Sequence, residues 1–525
     1  MKLYKNATFI TCEPKNELYT AMVEDKGYIA WIGNIEELPE RYKKAKTVDL
    51  GGATVTPAFG DTHMHFSCLC LCETTFYLMD EKNFDECEQT VRKFADSHPK
   101  AKVLLGFGCN ANCVEEKRVP VKADLDKWTD RPLFVYKYDG HAGVVNTAML
   151  NLLSDKVKNA RGFNGETGWL FGEAFYLGTN EVTGFVNTMD ILRSLGVGAD
   201  YLASQGIGMV HNVEGIGFAK DLDVDLMKWL CPGLPQAYRT FFQTMDVDTC
   251  KKHGYKRIGG CFRLALDGCF GSEDAALKEP YANDPANRGI LNYTQEQVNE
   301  FAIRANREGL QITMHAIGDA AVEQCITAYE AAYADKPWRD ARHIMIHVCL
   351  ASEDQLERMA KIGICAAVQS PFIYWKQEPD EYLCSVLGRE RTDSLNKLGT
   401  MHRLGLVVGD GSDGPCTRPK PLRGMYCAVN NPIPEERLTR EQALKMITYN
   451  PAYISKDEAK RGSLTAGKIA DFVVLGDDPL TAEDIENIEI RDLYLHGKKY
   501  RKKVLKPFAL VCRAIGNRIC GRAFL

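Results

Sequence analysis

His63 and His65 stand two apart in the stretch "GDTHMHF". On a β-strand, side chains at that spacing leave the same face, so both imidazoles can reach one ion beyond the strand's end. Alone, H-x-H is a weak signal. It gains weight from His315, which closes the apolar run "LQITMH", from His347, which closes "HIMIH", and from Asp413 in "VVGDGSDG". Four neutral nitrogen donors and one carboxylate make a mixed N/O set suited to a divalent cation, and the imidazole-rich composition points to zinc. Any one of these residues taken alone reads more readily as a satisfied core polar group. Five of them at the ends of apolar runs are harder to explain that way.

Such groups need a frame that gathers strand ends in one place. The middle of the chain alternates short apolar β runs with charged, helix-periodic segments, the pattern of parallel β/α units. The expected strands are "TPAFGDTHMHF", "IGMVHNVEG", "CFRLALDG", "LQITMHAIGD", "HIMIHV", "GICAAVQ" and "GLVVGDGSDG". Residues 294–309 predict a helix with Val298, Phe301, Ala302 and Ala305 on one face, and "SEDQLERMAKIG" predicts another from Ser352 as N-cap to Gly363. In a β/α barrel, catalytic groups cluster at the C-terminal ends of the strands. Both chain ends read instead as short antiparallel strands.

The expected organisation is an α/β (β/α)8 TIM-like barrel over 57–457. A small β-sandwich is expected from 1–56 and 458–500, an insertion after the first barrel strand at about 75–185, and a basic tail over 501–525. That tail suggests a docked surface helix, or a basic amphipathic segment touching a membrane surface or a partner.

A chain of 525 residues exceeds what one simple core supports. The net charge of −5 gives no reason to expect nucleic acid as a partner. No run approaches a membrane span, and the charged N-terminus does not read as a signal peptide, so a cytoplasmic location is expected. The 19 cysteines are scattered and odd in number, which argues for reduced packing residues over a disulfide framework. Cys68, Cys70 and Cys72 follow the two histidines in a C-x-C-x-C spacing, which on a strand would share one face. Structural zinc sites normally use C-x2-C pairs.

"VTPAFGDTHMHF" resembles the first-strand motif of the amidohydrolase superfamily. "VPVKADLDKWTDRPLFVYKYDGHAGVVNTAML", "NGETGWLFGEA", "LALDGCFGS", "TMHAIGDAAV" and "VVGDGSDGPC" resemble the amidohydrolase 3 branch, which includes N-substituted formamide deformylases. The resemblance runs from about residue 20 to about 480. It implies metal-dependent hydrolysis of a non-peptide C–N bond (amide, formamide, cyclic amide or amidine) by metal-activated hydroxide, on a small-molecule substrate, with homo-oligomers common. It makes His63, His65 and Asp413 ligands of a first metal. His315 and His347 bind a second metal or position water and substrate. His141 and His211 match positions lining the pocket.

One departure stands out. Where two-metal members carry a bridging lysine, this sequence has Arg263, a permanent cation that cannot supply a bridging oxygen. The favoured expectation is one ion on His63, His65, His315 and Asp413, with Arg263 binding an anionic group of the substrate. A second ion bridged by Glu173 or Glu214 is one alternative, and Arg263 paired with Asp267 or holding an anionic substrate group beside a degenerated metal site is another. Asp413 is then the expected proton acceptor and His347 the group polarising the carbonyl. Two rivals remain open: a deaminase, isomerase or decarboxylase on the same barrel, and a non-catalytic barrel that only binds a small molecule.

Overall fold

Eight parallel strands follow one another around a barrel. They are β1 (Phe59–Met64), β2 (Ile207–Glu214), β3 (Ala237–Phe242), β4 (Arg257–Ala265), β5 (Gln311–Ala316), β6 (Ile344–His347), β7 (Cys365–Val368) and β8 (Val408–Asp410). Neighbours pair in chain order, β1 pairs with β2, and a parallel bridge between Met64 and Gly414 draws the last strand's loop back to the first. The structure is a computed structural model describing residues 1–215, 217–502 and 506–520, without the side chains of Ala219, Phe262 and Arg263.

Six of the eight strands coincide with apolar runs read from the sequence, and β4 begins four residues before the expected run "CFRLALDG" and overlaps it only at 261–265. The eighth, β3 ("AYRTFF"), was not anticipated, because Arg239 interrupts its apolar run. That guanidinium is buried and grips Asp457 with two hydrogen bonds of 2.5 and 2.7 Å, so a charged residue sits inside the strand as half of an ion pair.

The two expected helices form at Gln295–Arg307 and Glu353–Ile362. Thr294 and Ser352 cap their N-termini in reciprocal capping boxes with Gln297 and Gln355, and Gly363 ends the second at φ 79°. The cysteines at 68, 70 and 72 are free and join no donor group among the described residues. They lie on a short helix, Phe66–Cys72, whose first turn is fixed by Ser67 N–H donating to the Glu214 carboxylate at 3.3 Å. A helix sends i and i+2 to different sides, so the three thiols do not share a face.

Both ends of the chain build one seven-stranded sheet. Strands Lys2–Ile10, Leu18–Asp25, Tyr28–Gly33 and Lys46–Pro57 join Phe472–Leu475, Ile490–Leu495 and Lys498–Lys499. Tyr4, Phe472 and Tyr494 pack ring against ring at its centre, with centroids 4.4–5.5 Å apart. The long strand Lys46–Pro57 runs almost directly into β1, so this sheet anchors the strand that carries His63.

A separate five-stranded sheet, from Phe76–Tyr77 to Trp169–Phe171, has its own apolar clusters and carries the loop with His141 to the barrel mouth. The tail forms a helix, Pro507–Ile519, that buries Leu510 and Ala514 and leaves Phe508 and Ile519 exposed. Among the described residues no helix is long and apolar enough to cross a membrane.

Candidate metal centre

The loop after β8 is laced to β1 by backbone. Asp413 N–H donates to the His63 carbonyl and His65 N–H to the Gly414 carbonyl, each at 2.8 Å. The Asp61 carboxylate completes the joint by accepting from the backbone N–H of His63 and of Ser412. Burial pushes the Asp61 carboxyl up to about 7, with those hydrogen bonds opposing. Gly411 is required here by contact, since a Cβ on it would meet the His63 backbone nitrogen at 2.6 Å.

This lacing brings three donors together. His63 Nε2 lies 3.1 Å and His65 Nε2 3.5 Å from Asp413 Oδ1, all three side chains being buried. Burial alone would raise the Asp413 carboxyl, but the His63 and His65 imidazoles outweigh it and hold the group well below the usual carboxylate range. Asp413 also sits at φ 55°, and His347 and Val348 at 72° and 54°. Left-handed backbone at non-glycine residues is strained, and it persists where the surroundings fix it. Here it aims two of the site's side chains.

On the other side of His63 stands a second group. Cys261 Sγ is 3.2 Å from His63 Nε2 and 3.9 Å from His347 Nε2. The Gln369 side-chain carbonyl accepts a hydrogen bond from His347 Nδ1, which leaves the Nε2 lone pair turned to the site. Burial, then the neighbouring His315, pushes His347 well below the ordinary histidine range. A neutral His347 in this tautomer accepts or ligates at Nε2. It does not donate there, so the expected carbonyl-polarising role does not follow from this arrangement.

His315 lies beside it, ring centroids 4.5 Å apart, with Nδ1 3.2 Å from Asp267. Asp267 is in turn fixed by the backbone N–H groups of Ala276, Ile317 and Gly318. His315 belongs to neither three-donor group among the described residues.

The other expected residues fall as follows. His141 is half-buried in the cavity that also touches His315, His347, Phe372, Glu378 and Asp413. His211 is buried deeper in the barrel beside Arg239 and Arg257, lines neither cavity at the mouth, and is pushed down to about 3, first by burial. Glu173 is exposed at the start of the helix Gly172–Gly184, near the Arg161 backbone N–H, and so is not brought to the site. Glu214 holds Ser67 and Asn212 and joins neither donor group. The side chain of Arg263 lies outside the described residues, and its role stays an expectation.

Two site residues were missed in the sequence. Gln369 follows β7 directly, and its position at a strand end was the available signal. Cys261 gave none, because its place depends on an irregularity in β4.

The mouth opens onto two chambers. One is the cavity of His141 and His315, with Phe372 stacked on His347 and Trp375 on Phe372. The other is mainly apolar, walled by Phe107, Tyr136, Phe175 and Phe218 and touching His65.

The donor set fits a metal ion. His63, His65 and Asp413 turn buried nitrogen and oxygen atoms towards one another, which a cation would satisfy together, and His347 stands on the other side of His63 with its free nitrogen towards the site. An eight-stranded barrel with an imidazole–carboxylate cluster at its C-terminal mouth is the frame of a metal-dependent hydrolase. Residues 46–499 match the amidohydrolase family, to which the chain belongs, and it is an enzyme acting on amide-type C–N bonds other than peptide bonds.

The chain is 27% identical to YtcJ, a proposed amidohydrolase of Bacillus subtilis (strain 168), over 91% of this chain and 94% of that protein. It is 26% identical to the N-substituted formamide deformylase of Arthrobacter pascens, covering 94% and 96%. Its backbone matches the crystal structure of an uncharacterized metal-dependent hydrolase from Pyrococcus furiosus with a TM-score of 0.73 and 26% identity, over 91% and 100% of the two chains.

Proposed function

We propose that the protein is a zinc-dependent amidohydrolase that cleaves a small, partly apolar amide or N-substituted formamide. The observation that carries this is the convergence of His63, His65 and Asp413 at the barrel mouth, with His347 on the far side of His63. Bound there, a divalent cation supplies Lewis acidity, polarising a carbonyl and making water a nucleophile near neutral pH.

The chain's own groups do the rest. Asp413, ionised and 3.1 Å from His63 Nε2, is placed to accept the proton of the attacking water at a carboxylate oxygen and return it to the departing nitrogen. His141, on the cavity wall, is placed to hydrogen-bond the substrate's polar end. The apolar chamber takes a hydrophobic substituent and limits water there. A single ion fits best, because His63 Nε2 is common to both donor groups and has one lone pair to give.

The test is metal content by plasma mass spectrometry on protein prepared without chelators, followed by a screen for release of amine with formate, or of ammonia. About one zinc per chain with amine and formate supports the reading. Ammonia from a heterocycle would favour a deaminase, and no metal with no turnover a binding protein.

A further inference from the structure

Cys261 is a donor that the reading above leaves unused. Most buried cysteines in this chain are packing residues, and burial by itself says nothing more. Its geometry does. In β4, Gly260 pairs with Met314 and the next pair is Ala265 with His315, so residues 261–264 leave the ladder between adjacent partners. The departure starts at Gly259 and Gly260, at φ 100° and 156°. A Cβ at Gly259 would lie 2.0 Å from the Thr313 carbonyl oxygen, so no other residue fits there without displacing β5. The detour puts Cys261 Sγ within reach of both His63 Nε2 and His347 Nε2, at 3.2 and 3.9 Å. A thiol has one proton and can serve one of these nitrogens, whereas a cation facing a thiolate serves both at once.

We propose that Cys261 is a thiolate ligand of the metal ion, alongside His63 and His347, and that it biases the site towards zinc over harder ions such as manganese. Sulfur is a soft donor, which zinc accepts and manganese or magnesium disfavours. Binding releases the thiol proton to solvent, and no oxidant or reductant is involved. The inference rests on the metal reading above.

The test is reconstitution with cobalt(II) in place of zinc, followed by absorption. Thiolate–cobalt ligation gives a near-ultraviolet charge-transfer band, and cobalt bound by any ligands gives visible d–d bands. The expected result is both in the native protein, with Cys261→Ser losing the first and keeping the second, and Cys416→Ser (a cysteine on the cavity wall next to Asp413) keeping both. Competition should also show the zinc-over-manganese preference falling at least about tenfold in Cys261→Ser. Visible bands without the near-ultraviolet band, or a near-ultraviolet band that survives Cys261→Ser, overturns the inference while leaving the metal centre standing. Absence of both in the native protein overturns the two together.

Discussion

His343 and His347 bracket barrel strand β6, one at each end, and their surroundings differ at every atom. At the floor, His343 Nδ1 accepts from the Ile312 N–H at 3.0 Å and Nε2 donates to Asn306 at 3.1 Å, with Tyr329 stacked on the ring. At the mouth, His347 has one nitrogen held by Gln369 and turns the other to Cys261 and the histidine cluster. The contrast extends to the neighbours. The floor buries Arg239 against Asp457 and satisfies Gln311 with the carbonyls of Arg342 and Ile454. The mouth gathers acceptors and lone pairs that face one another. Protein groups complete the floor. The mouth needs a cation, and that separates a structural histidine from a functional one of equal burial.

If the contrast is right, damage at the two ends shows in different measurements. His63→Ala should lower turnover by at least about 10³-fold and take metal content towards zero, with the folded far-ultraviolet spectrum retained. A variant that kept its metal and most of its rate would break the comparison at its centre. Asp457→Ala should do the reverse. It leaves Arg239 buried and unpaired, which costs about 3–5 kcal/mol of stability. Thermal unfolding would show a lower midpoint, while rate and metal content per folded molecule stay near native values.

How far the sequence reveals each end follows from the same physics. The mouth was legible where a donor follows an apolar run: His63, His65, His315, His347 and Asp413 all lie at strand ends. The barrel was legible because seven strands coincide with or overlap apolar runs separated by helical periodicity. The rest depends on contacts between distant segments. Arg239 hid β3 because its partner, Asp457, is 218 residues away. Cys261 was invisible because a local pattern cannot show a strand leaving its ladder between Gly260 and Ala265. Glu173 was available as an acidic residue in the expected insertion, but it lies on the exposed side of the helix it opens, whose buried side carries Phe175 to the apolar chamber. His211 and His347 both occur in apolar strand sequences, and only depth in the barrel tells them apart.

A milder intervention tests whether the mouth depends on orientation as well as ligand identity. Gln369→Leu removes the acceptor for His347 Nδ1 while roughly conserving volume. The imidazole then loses the contact that selects its tautomer and aim. Loss of such an outer partner typically costs 10–100-fold in metal affinity or activity. The expected outcome is a fall in that range in kcat/KM or zinc affinity, with restoration in Gln369→Asn only if the shorter amide still reaches. An unchanged enzyme would mean that His347 is held by packing against Phe372 and His315 alone.

The smallest effect belongs to the floor and is read from a slope. Burial, followed by the charge of Lys456, pushes His343 down from the ordinary 6.5 to about 3. The folded protein therefore holds this ring neutral where the unfolded chain protonates it. The contribution is complete above pH 6.5 and is lost progressively as pH falls from there towards 3, because protons then favour the unfolded state. For this one group the slope approaches about 1.4 kcal/mol per pH unit well below 6.5. His343→Gln removes the titration, so its stability should fall less steeply than the native protein's between pH 6 and about 4.5, whatever its starting stability. Equal slopes would mean that His343 protonates in the folded state, and the floor would then not be the closed, fully paired region that makes the mouth distinctive.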